Sequence, residues 1–108
     1  NILETEPPSA MAEKCKVTEL IDFISKKWII IILHAVHGGA DTFSAIQKSA
    51  TGINSRMLSE RLTDMQEYGI VDRKVICEKP VRIRYSLTKK GLSLAEQMDN
   101  LNELARTW

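Results

Sequence analysis

A chain of 108 residues, 44% apolar and 27% charged, can bury one core but not two, and its composition is that of a globular protein. The longest apolar run, Trp28–Leu33, sits between Lys26-Lys27 and His34, far short of the ~20 residues of a membrane helix. The formal net charge is only +1, but residues 72–90 carry Arg73, Lys74, Lys79, Arg82, Arg84, Lys89 and Lys90 against Asp72 and Glu78, while acids outnumber bases near both ends. Opposite poles of this kind suit a protein that turns one face to a polyanion.

Residues 1–12 read as a flexible arm, because Pro7-Pro8 and scattered polar residues give no period. The chain opens on Asn1, which points to trimming or processing. Residues 1–13 hold no apolar signal segment, and a cytoplasmic protein with no membrane partner is expected. Residues 13–108 then form one domain. Val17, Leu20, Ile21 and Ile24 make a helical stripe ending near Ser25, which can cap a second helix over Lys26–His37. In that helix Trp28, Ile31, Ile32, Ala35 and Val36 fall at helical spacing, and Gly38-Gly39 stops it. Thr42 or Asp41 opens a short third helix, Phe43–Ser49, with Phe43, Ile46 and Ala50 inward.

A fourth helix, Ser55–Tyr68, is capped by Asn54 or Ser55 and stopped by Gly69. Its apolar seam, Leu58, Leu62 and Met65, is narrow, so most of its surface stays free to touch something else. A ribbon follows: Ile70–Ile76, a turn through Cys77-Glu78-Lys79-Pro80, and a return over Val81–Thr88. In the return strand Val81, Ile83, Tyr85 and Leu87 alternate with Arg82, Arg84 and Ser86. Thr88 caps a last helix, Lys89–Thr107, which has more apolar positions than so small a domain can cover. The order predicts an α+β winged helix-turn-helix: a three-helix core, a two-stranded wing, and terminal helices free to dimerise.

A helix of this type reads base edges in the major groove from its N-terminal end. The candidates are Asn54, Ser55, Arg56, Ser59, Glu60 and Thr63, all off the apolar seam. Arg56 has the fork geometry for guanine, while Ser55 and Ser59 can donate to phosphate or base. Arg61 can instead pair with Asp64 or Glu60. Lys79, Arg82 and Arg84 on the wing would hold phosphates or reach a minor groove, whatever the sequence. Cys15 lies between Lys14 and Lys16 at the expected start of a helix, surroundings that favour thiolate. His34 and His37 share a helix face, but two histidines without nearby thiols or acids make a poor metal site. Nothing pairs a nucleophile with a base and no Gly-rich phosphate loop is present, so neither an enzyme nor a cofactor is expected.

Several of these elements together resemble the HxlR-type, MarR-like bacterial transcription regulators. The resemblance rests on Cys15–Thr18, Lys27-Trp28, Phe43-Ser44, Gly52-Ile53, Ser55-Arg56-Met57-Leu58-Ser59-Glu60-Arg61-Leu62, Gly69-Ile70-Val71, Tyr85-Ser86-Leu87-Thr88-Lys89-Lys90-Gly91 and Trp108, in order and spacing over residues 13–108. It implies a homodimeric winged-helix regulator of double-stranded DNA, joined through its terminal helices and acting on an inverted-repeat operator. It also implies that Cys15 is a redox switch answering a small electrophile or oxidant. Two positions depart from the pattern: Lys26 stands where the family usually has Gly, and Arg84 where it is usually acidic, a change that bears on operator preference. The alternatives are a winged helix used for protein interaction and a regulator controlled by a metal or small ligand.

Overall fold

The computed structural model describes residues 8–108, with side chains from Lys16 onward. In chain order they form α1 (Pro8–Ile24), α2 (Ile29–His37), α3 (Phe43–Ser49), α4 (Ser55–Glu67), β1 (Val71–Glu78), β2 (Val81–Leu87) and α5 (Lys89–Arg106), the expected winged helix-turn-helix. Helix α1 begins well ahead of the apolar stripe. Proline suits a first helical position, and Ser9-Ala10-Met11-Ala12-Glu13-Lys14 are mostly strong helix formers, so residues 8–12, expected as arm, are helical. Residues 1–7 of that arm lie outside the described residues.

Helix α2 starts later than Ser25 capping would have it. Lys26–Trp28 form a turn in which Ile29 N–H donates to the Lys26 carbonyl (3.2 Å). Trp28 takes a left-handed backbone, φ 81°, and caps the helix without a side-chain bond. A non-glycine residue there is strained by about 1–3 kcal/mol; the ring's packing against the core offsets it. The inward face is accordingly rotated: Ile29, Ile32, Leu33, Ala35 and Val36 are buried, while Ile31 faces solvent.

The shorter elements start where their side chains permit. Thr42 caps α3 through the Ala45 N–H (3.1 Å), Asn54 caps α4 through Met57 (2.7 Å), and Thr88 caps α5 through Gly91 (3.0 Å). Gly69, at φ 81°, ends α4 in the left-handed conformation that glycine takes without penalty. Leu58, Leu62 and Met65 pack with Ile32, Leu33 and Ile46 in one core. The wing pairs antiparallel from Val71 opposite Leu87 to Glu78 opposite Val81, with Ile76 bulged out between Val75 and Cys77. Burial fades along it: Tyr85 is buried, Ile83 is half-buried, and Val81 is 67% exposed at the tip.

Candidate nucleic-acid interface

Helix α4 owes its usefulness to an asymmetry. Leu58, Leu62 and Met65 are wholly buried on one side, and at 3.6 residues per turn this puts Arg56, Glu60 and Thr63 opposite, with Ser59 on the flank. All four are exposed. The Arg56 side chain is 90% exposed, its Nε 3.5 Å from the Glu60 carboxylate one turn on. That pairing costs little to break at a surface and holds the guanidinium on the outer face. The Thr63 hydroxyl donates to the Ser59 carbonyl (3.0 Å), leaving its lone pairs outward. Asn54 spends its side-chain oxygen on the cap.

Helices α3 and α4 are tied by Gln47, whose amide donates to the Ile53 carbonyl (3.3 Å) and to Ser55 Oγ (3.2 Å). This glutamine was not among the sequence candidates. Its partners lie six and eight residues on, at and before the start of the next helix, and no local sequence signal marks the tether. Arg61 turns inward: Nη1 donates to Asp64 (2.8 Å) and Nε to the Lys27 carbonyl (3.0 Å), clamping α4 onto the turn before α2. It is a structural residue.

On the wing, the register puts Lys74 opposite Arg84 and Cys77 opposite Arg82. One face therefore collects Lys74, Arg82 and Arg84, with Asp72 toward the base. Arg82 and Lys79 are exposed. Arg84 is not wholly free, because its Nε lies 3.5 Å from the Asp41 carboxylate in the loop before α3. A sequence-tolerant cationic surface beside an exposed helix is a combination suited to duplex DNA.

Residues 23–108 match the family described as HxlR-like helix-turn-helix. The chain belongs to that family. The uncharacterized HTH-type transcriptional regulator YvaP of Bacillus subtilis is 38% identical over 98 residues, 90% of this chain and 91% of that protein. The solved structure of the reduced form of the transcriptional regulator YodB from B. subtilis superposes with a TM-score of 0.77 at 30% identity, covering 86% of this chain and 91% of that one. The redox regulator HypR in its oxidised form gives 0.76 at 29% identity, over 87% and 97%.

Cys15 was expected at a helix start. Since α1 opens at Pro8, Cys15 sits well inside it, away from the free N–H groups of the first turn, which therefore do not favour its thiolate. Its side chain lies outside the described residues. His34 and His37 do fall in the last turn of α2, and His37 Nδ1 approaches the Asp99 carboxylate of α5 (3.7 Å). Among the described residues no group of three or more His, Cys, Asp or Glu could hold a metal ion, and no helix is long and apolar enough to cross a membrane.

Proposed function

We propose that this chain is a sequence-specific transcription regulator that binds inverted-repeat operators in double-stranded DNA as a homodimer in the cytoplasm. The observation that carries the reading is α4: fully buried along Leu58, Leu62 and Met65 and exposed along Arg56, Glu60 and Thr63. In this reading Asn54, Ser55, Arg56, Ser59, Glu60 and Thr63 meet base edges and nearby phosphates, while Lys79, Arg82 and Arg84 hold the backbone. Dimerisation through α1 and α5 is supported by the apolar side chains they leave in solvent: Val17 and Ile21 on one, Leu101 and Leu104 on the other, with Trp108 just beyond it at 90% exposure.

The proposal extends to a thiol switch at Cys15, supported by likeness to regulators solved in reduced and oxidised forms and by the cysteine's place on the helix assigned to the dimer interface. An electrophile adduct or an intersubunit disulfide there would turn one α4 relative to the other and spoil half-site spacing. A second reading, control by a small ligand, is favoured by a cleft of about 580 Å³ between α2 and α5, lined by Ile31, His34, Met98 and Asn102 among others. Sedimentation with and without an inverted-repeat duplex tests the main reading. It expects a dimer of the 12.2 kDa chain that takes up one duplex; a monomer at micromolar concentration would sink it.

A further inference from the structure

The charged face of the wing has an unsatisfied requirement that the loop before α3 meets. Lys74 and Arg84 are directly opposite each other across the β1–β2 ladder, and like charges in that position repel. Asp72 lies on the same face but two residues nearer the base, opposite Ser86. The group that reaches Arg84 is Asp41, its carboxylate 3.5 Å from Nε. The Asp41 carbonyl meanwhile accepts the Tyr85 N–H at 2.8 Å, so the loop is pinned to the wing by backbone and not by the ion pair. Both side chains of the pair are about half exposed, 57% for Arg84 and 51% for Asp41. A pair so placed is weak and easily exchanged.

We infer that Asp41 stands in for a DNA phosphate: its carboxylate occupies Arg84 in the free protein and is displaced by the duplex backbone on binding, so that Asp41 sets the working charge of the wing. The inference rests on the DNA-binding reading above and adds a residue to it that the helix and wing candidates omit. Asp41 is a positioning residue, because it acts through Arg84 and touches no base. Its chemistry fits the role. A carboxylate offers a guanidinium the same planar pair of acceptors as a phosphate edge, and it cancels the Lys74–Arg84 repulsion only while no DNA is present.

The test is a double-mutant cycle on Asp41→Asn and Arg84→Ala, read by anisotropy on a labelled non-specific duplex across a salt series, with thermal melts alongside. Asn preserves the backbone bond to Tyr85 and removes only the charge. Asp41→Asn is expected to tighten binding roughly three- to fivefold at low salt and to steepen the salt dependence by about one unit. It should also lower Tm slightly, by exposing the Lys74–Arg84 repulsion. Arg84→Ala should cost more affinity in the Asp41→Asn background than in the wild type. A latch that merely holds the wing in place predicts the reverse: affinity and stability fall together on Asp41→Asn, and Arg84→Ala costs less without Asp41. Either that pattern or unchanged affinity in Asp41→Asn overturns the inference while leaving DNA binding intact. Failure of the wild type to bind any duplex overturns the DNA-binding reading and this inference with it.

Discussion

Replacing Gly91 by alanine places a methyl group where none fits. The added Cβ would overlap the carbonyl oxygen of Ile70, with the Ile70 Cα also within 3.2 Å. The obstacle is backbone, which cannot rotate away as a flexible side chain would. That carbonyl accepts the Thr88 N–H (3.1 Å), and the Thr88 hydroxyl both donates to the Gly69 carbonyl (2.6 Å) and accepts the Gly91 N–H (3.0 Å). One joint thus ties the end of α4, the root of both strands and the start of α5. Overpacking costs about 1–3 kcal/mol. Loosening two hydrogen bonds adds about 0.5–1.5 kcal/mol each. Alanine's better helix propensity returns about 1 kcal/mol. The net loss is about 3 kcal/mol, or a fall in Tm of roughly 10–20 °C for a domain of this size. Thermal and urea melts followed by far-UV circular dichroism measure it, with Gly38→Ala as control. At Gly38 the nearest atom is the His34 carbonyl oxygen at 3.3 Å and φ is an ordinary −79°, so its Tm should stay within about 2 °C. A Gly91→Ala protein as stable as the control would refute the reasoning about this joint.

Arg56→Ala should cost about 1–3 kcal/mol at one base position and relax preference there; uniform weakening across all sequences would make Arg56 a phosphate contact. Arg82→Ala and Lys79→Ala should weaken specific and non-specific duplexes alike and flatten the salt slope by about one unit per lost contact. An unchanged slope in both would place the wing away from DNA and favour the protein-interaction alternative. Cys15→Ser should abolish the difference in DNA binding between reduced and oxidant-treated protein, with Cys77→Ser as control; a response that persists in Cys15→Ser puts the switch elsewhere.

How legible the fold was in the sequence depended on the range of the forces involved. Thr42, Asn54 and Thr88 cap helices through N–H groups three residues on, so their helix starts could be read directly. The seam of α4 was equally clear, because three apolar residues in a polar helix leave one way to pack. Trp28 was not: its left-handed backbone answers to core packing that no local pattern records. The start of α1 was missed because the apolar stripe opens at Val17, while helix propensity and Pro8 carry the helix further back. On the wing, strict alternation put Val81, Ile83, Tyr85 and Leu87 on one inward face, yet Val81 lies out in solvent. A two-stranded ribbon runs past the body it packs on, and periodicity does not say where the body ends. At the candidate site Arg56 stands out from sequence alone, whereas the Asp41 contact to Arg84 and the Gln47 tether to Ser55 join separate elements and become visible only in the fold.

If α4 reads DNA sequence, its two-fold partner reads the same sequence in the opposite sense. Binding-site selection from random duplex DNA, with reduced and oxidised protein in parallel, tests this most directly. The expected result is enrichment of an inverted repeat whose half-sites lie about one helical turn apart, with enrichment changed by oxidation in the wild type. Recovery of no common sequence, or of a single asymmetric half-site, would contradict it.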